Sequence, residues 1–486
     1  MSTYKHGVYT SEVPTSMVAP ITGTAGLQVV IGTAPVNMLA NPAAAVNKPL
    51  LVNNYKEAVE AVGYSDDFAS YTLCEAISAS FSVVGTGPLV LINVLDPSKA
   101  EHKTAVAETT VQVNSLVALL NVKGMIVDNS LVVKVGNDAL TAGTDYTTSF
   151  NDDGTLNIIL TSTGAGASAT SIKVSGNKLN PAGVVAADIV GGVNVSTGEE
   201  KGLEVIRQIY PKLGMTPGIL TAPRFSMEAT VAAALQAKTK EINGVFKCVC
   251  IVDISSKSGG ALKYSDVKTA KEAQAVSDPN AYGVWPAAAV GDVVYSGSAL
   301  ASALTAYTDA VNSDTPNVSP SNKTLAISKA CLIDGTEVVL DQDQANTVNS
   351  FGVATFLNMN GFRLWGNNTA AYPGNSDPKD RWFSVRRFLN WAANTFILTY
   401  FQKVDSPANP RLIEAIVDSE NVRGNGFVAR GVCARYEIVF LEEENTTVDL
   451  LNGKLTFHQY ITPYTPAEDI EDVIEFDPNA LSAALT

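Results

Sequence analysis

The sequence predicts a mixed α/β protein of several domains, with an inserted all-β module and extended arms at both ends. Apolar strand-like runs alternate with amphipathic helical runs through most of the 486 residues, a pattern typical of α/β layers. A stretch in the first half of the chain switches to Thr, Ser, Val and Gly with short strand-like runs, and both termini lack apolar periodicity. The expected units are an N-terminal arm at 1–26, the first part of an α/β domain at 27–99, a β-sandwich or barrel module at 100–192, a middle α/β domain at 193–344, a C-terminal α+β domain at 345–465 and a C-terminal arm at 466–486.

The first α/β part follows an arm that has no core of its own, in which KHGVYTSEV alternates loosely. LQVVIGTAP then predicts a strand that ends at a proline turn, and NNYKEAVEAVG predicts a short helix stopped by Gly63. SYTLCEAISASFSVVG predicts a second helix and PLVLINVLD another strand. The order strand, helix, helix, strand predicts an α/β layer.

The inserted module is predicted from four strand-like runs at short spacing, LVVKVGN, DYTTSF, LNIILTS and SIKVSGN. The acidic NDDG at 151–154 resembles part of a calcium loop. It lacks the further acidic ligands and the closing Glu, so we interpret it as a hairpin turn.

Helical α/β character returns near Gly202, and FKCVCIVDI predicts a buried strand. Alternation along that strand places Cys248 and Cys250 on one face. No Cys or His partners lie nearby in the sequence, so both are expected to be small core residues and not metal ligands.

The C-terminal part is predicted to contain a hairpin, two helices, two strands and a short extended tail. SFGVATFLNMNGFRLWGNN gives two strands around Asn360-Gly361, a hairpin signal, with Arg363 and Trp365 facing away from Leu364. RWFSVRRFLNWAANTFILTYFQ predicts a helix, and PRLIEAIVDSENVRGNG predicts a second helix that closes at Gly424. GVCARYEIVFLEEEN and GKLTFHQYITPY predict strands, and EDIEDVIEFD ends in a short extended piece.

Charge and composition exclude several classes of partner. A formal net charge of −15 argues against nucleic acid and against anionic lipid as main partners. No apolar run approaches the length of a membrane-spanning helix, and the start shows no secretory signal, so we expect synthesis in a cytoplasm. A charged fraction of 17% is compatible with a protein that hides much of its surface in contacts with its own copies.

No motif for catalysis is visible. VVGTGPLV lacks the third Gly of a dinucleotide fingerprint, and neither a P-loop nor a nucleophile elbow occurs. Asp341 and Asp343 could form an acid/base pair, but a solvated turn before the next element is the simpler interpretation. We therefore expect no catalytic, cofactor or metal site.

One basic cluster has interleaved aromatic residues: Arg381, Arg386 and Arg387 in RWFSVRRFLNW. Nucleic-acid binding is one interpretation. Because the chain is acidic overall, the pattern favours interface arginines that pair with acidic groups of another chain.

At this point the residues resemble a known family. NGFRLWGNNT at 360–369, followed by VRRFLN at 385–390, is similar to the C-terminal signature of contractile tail sheath proteins, found in bacteriophages and phage-tail-like bacteriocins. HGVYTSEVP and VVIGTAP resemble the opening of these proteins, YGVWPAA, SALASALTAYTD and SPSNK their middle, and NGKLTFHQYITPYTPAEDIEDVIEF their closing strands. The resemblance covers nearly the whole chain except 100–190, and its specificity lies in the shared order of the motifs.

The resemblance implies a structural, non-enzymatic subunit. Many copies stack as rings or a helix around a rigid tail tube, and contraction drives the tube through a target envelope. The inner, tube-facing domain is built from both chain halves, and the inserted module points outward. Baseplate and tail terminator proteins are implied as further partners, with the virion tail or a phage-tail-like particle as location.

The resemblance also implies that both arms pair with strands of neighbouring subunits. The residues expected to do so are Val8, Tyr9 and Val13 in the N-terminal arm and Ile470, Val473, Ile474 and Phe476 in the C-terminal arm. Four further residues are expected as interface contacts or inner-domain anchors: Arg363, Trp365, Arg386 and Arg387. The alternatives are termini that pack on their own subunit and, for function, a β-rich receptor-binding or adhesion protein or an α/β enzyme.

Overall fold

The computed structural model describes residues 23–485, so Val8, Tyr9 and Val13 lie outside the described part of the chain. The mixed α/β class with several sheets is confirmed. The first segment contains the two predicted strands and the two predicted helices, and it adds a short strand, β2, that was not predicted. The elements are β1 Gln28–Gly32, β2 Leu50–Val52, α1 Tyr55–Val62, α2 Thr72–Ile77 with a π-helical continuation Ser78–Val84, and β3 Leu89–Asn93.

The inserted module forms two sheets of antiparallel strands that share one apolar core, which makes it a β-sandwich. One sheet has the order β4-β10-β6-β7 and the other β5-β9-β8. The NDDG stretch joins β8 to β9 as a hairpin turn. The elements from here to residue 201 are β4 Lys103–Gln112, β5 Val117–Leu120, β6 Val132–Val135, β7 Asp138–Ala139, β8 Tyr146–Phe150, β9 Leu156–Leu160, β10 Ser171–Leu179, α3 Ala186–Val190, β11 Gly192–Val193 and β12 Glu200–Lys201.

The third segment returns to alternating helices and strands. The hairpin at Asn360-Gly361 is confirmed, and both residues have the positive φ angles (54° and 105°) that such a turn requires. The elements are α4 Ile209–Leu213, β13 Ile219–Thr221, α5 Ala229–Lys238, β14 Val249–Asp253, α6 Val267–Ala273, β15 Ala281–Val284, β16 Ala287–Val290, β17 Val293–Tyr295, α7 Gly297–Val311, β18 Lys329–Cys331, α8 Gln342–Ser350, β19 Val353–Asn358 and β20 Phe362–Trp365.

The centre of the molecule is one eight-stranded sheet in the order β2-β3-β1-β13-β14-β15-β19-β20. Its inner pairs are parallel, and only the outermost strands β2 and β20 run antiparallel to their neighbours. Strands β1, β3, β13, β14 and β15 are buried along their whole length, as expected for parallel strands covered on both faces. The boundary predicted at residue 345 falls inside this unit, because β19 and β20 join the same sheet as strands far earlier in the chain.

The C-terminal unit begins after β20 and packs two long helices on a two-stranded sheet. Its elements are α9 Pro378–Arg381, α10 Phe383–Tyr400, α11 Pro410–Ala429, β21 Cys433–Val439, α12 Thr447–Leu451, β22 His458–Pro463 and α13 Pro478–Leu485. Its core is aromatic, built from Phe388, Trp391, Phe427 and Tyr436.

One expectation for this unit was wrong, and one element was not predicted. Helix α11 does not close at Gly424 but continues to Ala429. Gly424 serves packing instead, because a Cβ there would collide with the Tyr436 carbonyl of β21. The sequence also gave no prediction of α13, which follows the segment without regular structure at 464–477.

Candidate assembly interface

Arg363 and Trp365 lie on β20, the last strand of the central sheet. The outer edge of β20 is covered by residues 322–325, since Asn322 N donates to Leu364 O at 2.6 Å and Leu325 N to Phe362 O at 2.9 Å. Arg363 Nη1 donates to the Asn322 carbonyl at 3.0 Å and so fastens the covering segment. The NMNGFRLWGNN stretch is therefore architecture that closes a sheet edge.

Trp365 lines a polar cavity of about 500 Å³ at the same edge. Its Nε1 lies 3.5 Å from Asn346 Oδ1, the outer limit of a hydrogen bond. Residues 466–469, where the C-terminal arm begins, also line this cavity. Trp365 is thus placed beside the base of the arm.

Arg381 holds the base of the C-terminal arm, a role that the sequence did not reveal. Its Nη2 donates to Glu468 Oε2 at 2.7 Å and its Nε to Asn368 Oδ1 at 2.9 Å. The guanidinium also stacks on the rings of Trp382 and Tyr372, 4.0 and 4.5 Å from their centroids. The Arg-Trp pair in the sequence was the available signal, but its acidic partner is 87 residues away.

Arg386 and Arg387 pair with acids of their own chain. Arg386 Nη1 donates to Asp380 Oδ1 at 3.1 Å. Arg387 is 3% exposed and donates from both Nη atoms to the carboxylate of Asp309 in α7. Of the two roles that the sequence left open, Arg387 therefore has that of an anchor within the chain.

Helix α10 also fixes the start of the described chain. Arg387, Trp391 and Thr395 are spaced four residues apart, which places them on one helix face. Arg387 Nη2 donates to Ala25 O at 3.2 Å, Trp391 Nε1 to Gly23 O at 2.8 Å, and Gly23 N donates to Thr395 Oγ1 at 3.0 Å. The N-terminal arm therefore departs from a fixed point on α10.

A buried carboxylate ties the C-terminal unit together. Glu420 of α11 is 1% exposed and accepts from Tyr400 Oη at 3.1 Å, Tyr436 Oη at 2.9 Å and Gln459 Nε2 at 2.9 Å. Arg423 Nη2 also donates to Glu420. The Nε and Nη1 atoms of Arg423 have no hydrogen-bond partner among the described residues. Burial raises the pKa of both tyrosines, so they stay protonated and act as donors. Both strands and both long helices are thereby held in one arrangement.

The four residues of the C-terminal arm that were predicted to pair with a neighbouring subunit project into solvent. Ile470, Val473, Ile474 and Phe476 are 86%, 81%, 88% and 74% exposed. Isolated exposed apolar side chains are common, but these four lie within seven residues of an acidic segment and form a patch that no other part of residues 23–485 covers.

The edge of the central sheet where a catalytic site would be sought is filled by side chains. Asp253, at the end of β14, is 2% exposed and accepts from Ser298 Oγ at 2.7 Å and Ser226 Oγ at 2.9 Å. Glu75 is fully buried against Arg224 at 2.7 Å. Burial raises the pKa of both carboxyl groups, while these donors oppose the shift. They form a buried hydrogen-bonded and ion-paired network.

Other chemistry is equally sparse in the described residues. All five cysteines are buried, and burial raises the pKa of the Cys74 thiol to about 12, which leaves it unreactive. Residues 23–485 contain no group of three His, Cys, Asp or Glu side chains suited to a metal ion. None of the described helices is long and apolar enough to span a bilayer.

Comparison with known proteins finds similarity to tail sheath proteins. No protein-family model matches the chain. It is 25% identical to the tail sheath protein of Burkholderia phage BcepMu, over 96% of this chain and 95% of that protein. It is 27% identical to the tail sheath protein of Escherichia phage P2, over 57% of this chain and 68% of that protein.

Solved structures give the same result for the fold. The contracted helical sheath of the anti-feeding prophage superposes with a TM-score of 0.57 at 13% identity, covering 98% of this chain and 99% of that one. The contracted sheath complex of the PVC extracellular contractile injection system also gives 0.57, at 14% identity and 99% coverage of both chains. The resemblance seen in the sequence is confirmed: the curated homologues of this chain are tail sheath proteins, and its fold is the one found in contractile sheaths.

Proposed function

We propose that this chain is the structural subunit of a contractile tail sheath, which polymerises around a tail tube and contracts to drive the tube through a target cell envelope. The observation that carries the proposal is the similarity to a phage tail sheath protein over almost the entire length of both chains. The shared fold with two contracted sheaths supports it.

The partners follow from this function. They are many further copies of the chain in stacked rings or a helix, the tail tube protein, and the baseplate and tail terminator proteins. The place of action is the tail of a phage or phage-tail-like particle, after synthesis in the host cytoplasm. The net charge of −15 fits a protein that binds neither nucleic acid nor an anionic membrane surface.

The work of such a subunit is mechanical and involves no bond-making chemistry. Contraction requires subunits to rotate as rigid bodies while they stay connected. The continuous eight-stranded sheet provides a body of that kind. The energy is stored in the interfaces, and a gain of about 2 kcal/mol per subunit suffices, because each ~1.4 kcal/mol is already a tenfold bias per step.

The connection between copies is made by strand exchange through the arms. The C-terminal arm supplies Ile470, Val473, Ile474 and Phe476, which are exposed in the described part of their own subunit. The N-terminal arm supplies Val8, Tyr9 and Val13. The two-stranded sheet β21–β22 is the acceptor, since two strands alone are marginal and gain from further pairing.

The remaining predicted residues hold the surfaces that carry the arms. Arg363 and Trp365 fix the sheet edge beside the base of the C-terminal arm. Arg387 fixes the base of the N-terminal arm on α10, and Arg386 pairs with Asp380 close to it. All four act as anchors of the inner, tube-facing part of the subunit.

Electron microscopy of the purified full-length chain tests the proposal. We expect negative-stain images of hollow tubes or rings of regular diameter. A chain that stays monomeric at every concentration and ionic strength, with or without tail tube protein, would contradict the proposed function.

A further inference from the structure

We infer that the polar cavity beside Trp365 is a binding site for a neutral, hydroxyl-rich ligand of the size of a mono- or disaccharide. The cavity has a volume of about 500 Å³, within the range of roughly 300–1,000 Å³ that is usual for small-molecule sites in proteins. The inference goes beyond the proposed function and does not depend on it.

The cavity is built by the fold from segments that are distant in the sequence. Its lining comes from helix α8, from residues 319–322, from residues 365–368 and from residues 466–469, with Tyr372 and Arg381. Hydrogen bonds hold three of these segments together. Asn349 Nδ2 donates to Trp365 O at 2.9 Å, and Gly366 N donates to Ser321 Oγ at 3.0 Å. The site is therefore preformed, as small-molecule sites usually are.

The lining presents hydrogen-bond donors that the protein itself does not use. Four of its side chains carry amide NH2 groups without a partner among residues 23–485: Asn322, Gln342, Asn346 and Asn367. Asn367 is fixed through its oxygen, since Oδ1 accepts from Ser319 Oγ at 2.7 Å. Asn322 is held in the same way by Arg363 Nη1 at 3.3 Å. The NH2 groups of these amides are thus available to a ligand with acceptor oxygens.

An aromatic ring adds an apolar surface to the same cavity. Trp365 is partly buried, and its Nε1 lies 3.5 Å from Asn346 Oδ1. The face of an aromatic ring is negatively polarised and attracts the C–H groups on the face of a sugar ring. The hydroxyl groups at the edge of the sugar can then bond to the polar neighbours of the ring. A tryptophan beside unpaired amides therefore suits a saccharide.

The charges in the lining favour a neutral ligand over an anionic one. Arg381 is the only cation among the described residues that line the cavity, and its Nη2 donates to Glu468 Oε2 at 2.7 Å. Asp469 adds a second carboxylate, so the lining carries one net negative charge. A phosphate or carboxylate ligand would meet repulsion there. Hydroxyl groups both donate and accept, which matches the carboxylate oxygens as well as the amide NH2 groups.

Saturation-transfer NMR on the full-length chain tests the site with defined probes. These are maltose, cellobiose and N,N′-diacetylchitobiose as neutral sugars, glucose against glucuronate as a charge comparison, and a neutral Gly-Ser peptide as an extended chain. We expect transfer to at least one neutral disaccharide, with a dissociation constant of about 1 mM, and weaker binding of glucuronate than of glucose.

Variants of α8 assign the signal to the cavity. Gln342→Ala and Asn346→Ala each remove one unpaired amide and should weaken binding about fivefold. Asp343→Ala changes an exposed residue of the same helix that does not line the cavity, and it should bind as the unchanged chain does. Urea unfolding shows that the variants remain folded.

Three results would overturn the inference. The first is the absence of transfer to every neutral sugar. The second is transfer that Gln342→Ala and Asn346→Ala leave unchanged, which would place binding elsewhere. The third is binding of the peptide or of glucuronate in preference to the neutral sugars, which would assign the cavity to another class of ligand. None of these results bears on whether the chain polymerises, so the proposed function is tested separately.

Discussion

The central sheet and the C-terminal sheet differ in how their edge strands are covered. Edge strand β20 of the eight-stranded sheet is covered by residues 322–325 of the same chain. In the two-stranded sheet, Asn421 of α11 hydrogen-bonds to Ile438 at the edge of β21, and no described strand pairs with the outer edge of β22. The first region closes its β20 edge within one copy and suits a rigid body, whereas in the proposed function the second region is completed by another copy. The proposed function thus assigns rigidity and connectivity to separate parts of the molecule.

The largest effect is expected from removing what completes the second region. Deletion of residues 470–486 takes away the arm but keeps Glu468 and its contact with Arg381. The subunit should keep its far-ultraviolet circular dichroism and melting temperature but form no tubes in negative stain. Deletion of residues 1–20 should have the same result. Normal assembly of either truncated chain would show that the exchange of that arm is not required.

The second largest effect is expected from breaking the ion pair between Arg387 and Asp309, which joins the C-terminal unit to the unit that contains the central sheet. Arg387→Met leaves the buried Asp309 carboxylate without its partner and releases Ala25. We expect a loss of about 3–5 kcal/mol in the free energy of unfolding, measured by urea denaturation.

Arg386→Met is the control for this junction, because the Arg386–Asp380 pair is more exposed, with side chains 18% and 15% accessible. Its cost should be clearly smaller. Equal losses in the two variants would contradict the assignment of Arg387 as the anchor.

A pH titration can probe the central region by itself. Lys271 is 7% exposed, donates to the carbonyls of Phe351 and Tyr372, and its pKa is lowered by burial to about 8. The unfolded chain keeps the ordinary pKa near 10.4, so between pH 8 and that value only the unfolded state is protonated. Stability should therefore rise with pH across this window, by about 3 kcal/mol at most.

The control for this titration is Lys271→Met, which removes the ionisable group. The difference in unfolding free energy between the two proteins should change across pH 8 to 10.4 and stay constant below pH 8. A constant difference throughout would mean that the Lys271 pKa is not depressed.

The smallest effect is expected at the base of the C-terminal arm. Arg381→Lys keeps the charge but loses the planar contacts with Trp382 and Asn368. For a partly exposed ion pair we expect about 1 kcal/mol, or roughly a fivefold higher concentration for polymerisation, measured by light scattering. Lys379→Gln, which removes the exposed pair with Asp377, should leave this concentration unchanged.

Single turns, helices and helix ends could be predicted from the sequence because each depends on residues that are close together in the chain. Three examples are the hairpin at Asn360-Gly361, helix α10 and the end of α1 at Gly63. Each depends on residues within one turn or one helix. The same holds for Asp341, whose side chain caps α8 as expected for a turn before the next element.

Features that depend on distant partners could not be predicted. The continuity of the central sheet past residue 345 rests on parallel pairing of β15 with β19, and parallel strands carry no turn signal. Arg387 meets Asp309 across 78 residues, and Glu468 meets Arg381 across 87. Gly424 was interpreted as a helix end because the sequence alone does not show that it packs against β21.

A cryo-EM reconstruction of the polymer formed by the full-length chain tests the central claim most directly. We expect a β-sheet in which β22 is extended by a strand whose density continues into residues 464–469 of an adjoining copy, with Ile470, Ile474 and Phe476 against the helices. A polymer in which β22 stays bare, or in which each arm lies on its own subunit, would contradict it.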